Sequence, residues 1–137
     1  MFNKKKQPLI KSLVAEGGQI EGTFRFSDGL RIDGTVIGNI LGNPDVASIL
    51  VISETAMVTG EIRADHIIIN GAVKGPIHAR VMLELQPKAR IQGDVHYTAL
   101  EMHQGAIISG QLRPVLGGEI SLGEEEKPTL KLAANNA

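Results

Sequence analysis

The 137-residue chain has no cysteine, no tryptophan and no excess of either charge: 14 lysines and arginines stand against 15 aspartates and glutamates. Without cysteine there is no disulfide, no thiolate metal ligand and no cysteine nucleophile. A net charge of −1 lacks the broad positive field of a dedicated nucleic-acid binder. Aromatics are limited to Phe2, Phe24, Phe26 and Tyr97, too few for a platform on which bases stack. No apolar run approaches the roughly 20 residues of a membrane-spanning helix; the longest, Val46 to Ile52, has seven residues and includes Ser48. Glycine is abundant, 16 of 137 residues, or about 12% against a usual level of about 7%. With 42% apolar residues beside it, that surplus points to repeated tight geometry rather than disorder.

The glycines are periodic. A unit of β-branched residue, any residue, glycine, any residue and large apolar residue occurs at Ile20-Glu21-Gly22-Thr23-Phe24. It returns around Gly38, Gly60, Gly75, Gly93 and Gly110, at spacings of 16, 22, 15, 18 and 17 residues. Four residues before each glycine stands a small residue: Gly18, Gly34, Ala56, Gly71, Ala89 and Ala106. Eight before it, in all but the first unit, stand Leu30, Ile52, Ile67, Leu85 and Met102; two after it stand Phe24, Ile40, Ile62, Ile77, Val95 and Leu112. All these offsets are even, so in extended chain the columns share one face, with mostly polar residues between them. That is strand alternation, and no 3.6-residue period is sustained from Gly17 to Leu112. Length variation is expected to fall outside this block, the largest surplus being an insert from Leu41 to Ser48.

One coil of about 17 residues cannot bury its own inward row, whereas stacked coils bury one another's. The sequence therefore predicts an all-β protein, a parallel β-helix of about six coils and roughly 30 Å length. The small columns are expected at corners where the walls converge, with positive φ at the central glycines. Three segments follow: a basic, flexible leader over 1–15, a β-helical polymerisation domain over 16–115, and a charged, flexible tail over 116–137. Leu116, Ile120 and Leu122 are candidates for one further covering segment.

Candidate chemistry is sparse. His78 and His96 occupy one column of adjacent coils, shared with Arg25, Arg63 and Arg113, where stacked imidazoles would suit a shared metal or acid–base work. The plainer reading is an outer ladder whose stems cover neighbouring strands. His66 and His103 lie outside that column and add no ligand set. The carboxylates Glu61, Asp65, Glu84, Asp94 and Glu101 read as surface charge. Ser48, Ser53 and Ser109 have no Gly-x-Ser-x-Gly setting, and no glycine pattern forms a phosphate loop. No catalytic residue, cofactor, metal or nucleotide site is expected.

The leader carries Met1, Phe2, Lys4, Lys5 and Lys6. A buried phenylalanine and three lysines near anionic lipid together supply about 4–6 kcal/mol, too little to hold one chain but enough for many copies on one polymer. The residues after the lysines lack the apolar core of a secretion signal. At the coil ends, Ile20, Phe24 and Phe26 of the first coil and Ile108, Leu112, Val115 and Leu116 of the last are the candidate self-association surfaces. Edge strands associate unless something blocks them. Joining first coil to first and last to last would give a non-polar polymer.

The Met-Phe-x-Lys leader, six glycine-punctuated coils, absence of cysteine and short charged tail together resemble the bactofilin family. The resemblance spans Gly17 to about Pro114 plus the flanks. It implies a right-handed, three-sided β-helix that polymerises end to end without nucleotide, often beneath the cytoplasmic membrane, as a bacterial cytoskeletal scaffold. It further implies roles in cell shape and partnership with cell-wall enzymes such as M23-type peptidases or peptidoglycan synthases. The competing reading is a hexapeptide-repeat enzyme, an acyltransferase or γ-type carbonic anhydrase. Such enzymes keep an 18-residue period that this chain does not. A secreted β-helical adhesin or lyase conflicts with the missing export signal.

Overall fold

A computed structural model describes residues 8–122, with side chains as far as Val115. Among these residues there is no helix, and every strand pairing is parallel. The first coil holds β1 (Ile10–Val14), β2 (Gln19–Glu21) and β3 (Phe24–Phe26), and the second β4 (Asp28–Ile32), β5 (Thr35–Ile37) and β6 (Ile40–Gly42). The third opens with β7 (Ser48–Ile52) and β8 (Met57–Thr59). From there longer strands run through one corner. β9 (Ile62–Ile69) closes the third coil and opens the fourth, which continues with β10 (Ala72–Lys74). β11 (Ile77–Leu85), β12 (Arg90–Gln92), β13 (Val95–Met102), β14 (Ile107–Ser109) and β15 (Leu112–Leu122) complete the series. The fold is a β-solenoid of about six turns, as the repeat predicts.

One ladder runs β2-β5-β8-β10-β12-β14, and the other follows β1-β4-β7-β9-β11-β13-β15 with β3 and β6 beside it. The inward columns form one continuous core: Val36, Val58, Val73 and Ile91 stack on one wall, Ile40, Ile62, Ile77 and Val95 on another. On the third wall Leu30, Leu50, Ile67, Leu83 and Leu100 are fully buried. Size varies within a column too. Phe26 and Tyr97 stand near the two ends of the row whose middle is Gly42, Ala64 and Ala79, so rings fill space that the small residues leave.

One detail of the register differs from expectation. Leu30 stacks on Leu50 rather than Ile52, and Ile67 on Leu50 and Leu83 rather than Ile52 and Leu85. Coils two and four turn their first corner in two fewer residues, so length variation enters the aligned block after all. A slip of two leaves every side chain on its original face, which is why hydrophobic pattern alone does not see it. Both short corners carry glycine. A Cβ on Gly34 would lie 2.4 Å from the Ala15 carbonyl oxygen, and one on Gly71 2.2 Å from that of Ser53. The longer corners carry Gly18 in the first coil and the buried Ala56, Ala89 and Ala106 in the third, fifth and sixth.

The central glycine column does have positive φ, for example +145° at Gly38 and +147° at Gly60. Its second cause is not converging walls. A Cβ on Gly60 would sit 2.0 Å from the carbonyl oxygen of Gly38, one coil away, and the same relation links Gly38 to Gly22. Backbone rests on backbone at this corner.

The coils also reach past the limits read from sequence. β1 lies within the 1–15 leader, pairing Leu13 with Arg31 and Val14 with Ile32, and its close approach leaves no room for a side chain on Gly29. β15 continues beyond 115: after a register shift, Glu119, Ile120, Ser121 and Leu122 pair with Ala99, Leu100, Glu101 and Met102. A partial seventh rung thus covers one wall of the last coil. The leader residues Met1, Phe2, Lys4, Lys5 and Lys6 and the tail from 123 lie outside the described residues.

The glycine corner yields an ordering. Alanine at Gly22 or Gly60 meets dihedral strain of about 1–3 kcal/mol, but only at Gly60 does the new methyl also meet a carbonyl; around Gly22 there is open space. Gly60→Ala should therefore melt at a lower temperature than Gly22→Ala by circular dichroism, and equal midpoints would remove the stacking explanation.

Candidate polymer interface

Among the described residues the core does not close at its ends. Ile20 and Phe24 at one end and Ile108 at the other are only partly buried, while their column neighbours one coil inward are fully buried. Each end also presents backbone. Among the described residues, β1, β2 and β3 pair with strands on one side only, as do β14 and β15. A row of free N–H and C=O groups over partly buried apolar side chains is a template for a further strand.

The remaining candidate residues divide. Phe26 is 7% exposed and packs over Gly42, where an added Cβ would lie 3.2 Å from its ring. Leu112, the first residue of β15, is 4% exposed, whereas Val115 is 46% exposed at the end of the described side chains. Leu116 lies in β15, but its side chain is outside the described residues. Not named from the sequence are Leu9, Ile10 and Leu13, all exposed in or beside the edge strand β1. The signal for them was the Leu-Ile-x-x-Leu-Val pattern of residues 9–14, obscured because that segment lacks the glycine unit.

The 43–47 insert leaves the solenoid between β6 and β7 and is pinned by polar contacts. The Ser48 amide donates to Asp65 Oδ2 at 3.2 Å, and the Asp65 amide donates to Ser48 Oγ at 3.0 Å. Arg80 donates to Asp65 Oδ1 at 2.7 Å and to the Gly42 carbonyl at 3.2 Å. Beside the insert is an open groove of about 570 Å³ whose lining includes Arg25, Phe26, Leu41, Pro44 and Arg63.

The histidine column stacks as its spacing predicts. The rings of His78 and His96 are parallel within 8°, with centroids 4.3 Å apart. Arg113 reaches Asp94 at 3.1 Å, and Arg63 pairs with Glu61. A backbone hydrogen bond from Gln111 and the Arg113 guanidinium hold Asp94 below its usual range. These contacts make a charged, stacked outer ladder. His103 lies elsewhere, its Nε2 close to both Glu84 and Glu101.

The chain is thus a parallel β-solenoid with unpaired strand edges at both ends of its described coils. Residues 12–113 match the family model of the bactofilins, described as polymer-forming cytoskeletal, and the chain belongs to that family. No curated protein and no solved structure matched in the two other comparisons. The family description is that of a structural polymer, not of an enzyme.

The stacked ladder makes stability depend on pH. Burial foremost, then Arg63 and His96, push the His78 imidazole below its ordinary value of 6.5, against an upward pull from Glu61. The unfolded chain therefore takes this proton more readily than the folded one. The contribution is complete above pH 6.5 and is lost as pH falls through the folded value. Between about pH 7.5 and 5.5, the urea midpoint of the native chain should drop further than that of His78→Gln. Equal drops would contradict this.

Proposed function

We propose that this bactofilin is a cytoplasmic scaffold that assembles end to end, without nucleotide, into non-polar filaments. Supporting this is the incomplete burial of Ile20, Phe24 and Ile108 in columns that are otherwise fully buried. A second copy set against either end would continue the core and pair the free edge. The contacts alternate, first coil to first and last to last, so each is isologous and the polymer has no direction. The partial rung of β15 adds a strand to one wall of the last coil and presents an edge of its own. The leader then collects many weak lipid contacts onto one polymer, placing it on the inner face of the cytoplasmic membrane. There it serves cell shape by positioning a cell-wall enzyme, an M23-type peptidase or a peptidoglycan synthase.

Charge at one junction separates the two contacts. Phe24→Arg should stop growth at dimers joined through last coils, and Val115→Arg at dimers joined through first coils. The double variant should be monomeric by light scattering. Regular filaments of the native chain are expected by negative-stain electron microscopy without nucleotide; filaments persisting in the double variant would reject these ends.

The leader has its own test. Removing residues 1–6 should abolish flotation of assembled protein with vesicles containing anionic lipid, and neutral vesicles should recover neither form. Equal flotation of full-length and truncated protein would exclude the lipid role.

A further inference from the structure

Glu84 of β11 and Glu101 of β13 stand directly opposite each other in adjacent coils. Like charges in that position oppose strand pairing unless a cation lies between them. His103, two residues beyond Glu101, brings Nε2 to 3.2 Å from Glu101 Oε2 and 3.3 Å from Glu84 Oε2. That nitrogen is shielded from solvent yet makes no hydrogen bond of acceptable geometry. The separations also exceed the roughly 2.7–2.9 Å of a charge-assisted N–H···O bond. They are close to the edge of a tetrahedron around zinc: with bonds of about 2.0–2.2 Å, ligand atoms lie about 3.4 Å apart. The three donor atoms fall within 4.8 Å of one another.

The surroundings hold the arrangement in place. The His103 amide donates to the Leu85 carbonyl at 2.9 Å, tying it to the coil below. Gln86 donates to Glu84 Oε2 at 3.2 Å, orienting that carboxylate. Hydrogen bonds of this kind tune metal ligands.

We propose that Glu84, Glu101 and His103 bind one divalent transition-metal ion, clipping coil five to coil six. Nε2 and one oxygen from each carboxylate are the ligands, and water takes the fourth position. Two carboxylates and a neutral imidazole balance the charge of the ion. An imidazole nitrogen with only two carboxylates suits Zn²⁺ or Co²⁺ and is poor for Ca²⁺ or Mg²⁺, which take more oxygen ligands. The site is complete within one chain and does not depend on the polymer reading.

The test uses full-length protein stripped with a chelator, then titrated with Zn²⁺ by calorimetry and with Co²⁺ by visible absorption. One equivalent should bind, with the intense visible bands of tetrahedral Co²⁺, and Zn²⁺ should raise the thermal midpoint. Glu84→Gln and His103→Gln should each weaken binding at least about tenfold and lose the midpoint shift, while keeping the metal-free circular dichroism spectrum. His78→Gln/His96→Gln should bind as the native chain does. The proposal falls if the native chain takes up no ion, or if both site variants retain binding and midpoint shift.

Discussion

The solenoid depends on one contact, repeated: the alpha carbon of a glycine in one coil lies against the carbonyl of the equivalent glycine in the coil before it. Strand spacing fixes how far apart coils sit, and at this corner the chain turns with φ values that side chains do not tolerate. Gly38 and Gly60 satisfy both demands together. With the corner fixed, the flanking residues fall into register and the inward valines and isoleucines stack without gaps. The side chains supply the favourable burial, but the corner decides which residues meet.

Because every coil touches only its neighbours, the inner coils are alike in environment and the outer two are not. The same inward position is dry in the middle and only partly buried at either end. Outward-facing groups have no such constraint, which is why His78, His96, Arg63 and Glu61 form ladders of varied chemistry on a uniform frame. Membership of a polymer-forming family fits a frame whose unfinished parts, among the described residues, are its two tips.

Much of this architecture was legible as even-numbered offsets between apolar residues. What escaped had physical reasons. The two-residue shortening before Gly34 and Gly71 preserves facing and so leaves no trace in the hydrophobic pattern. β1 carries Ser12 opposite Leu30 and has no glycine unit, so it resembled a leader although it pairs with β4. The end of β15 follows a register shift between Tyr97 and Ala99 of its partner, which breaks the period just where the last rung begins. Glu84 and Glu101 are 17 residues apart, the spacing of the adjacent glycines Gly93 and Gly110. That agreement marks them as stacked neighbours, but comparing inward columns alone left it unused.

The insert at 43–47 sits two coils from one tip and four from the other. In a polymer of alternating junctions its copies would not be evenly spread. At about 4.8 Å per rung, they would fall roughly 20 Å apart across one junction and roughly 40 Å across the next. A structurally smooth rod would thus carry an alternating short and long scale along its length, set by where a single loop departs.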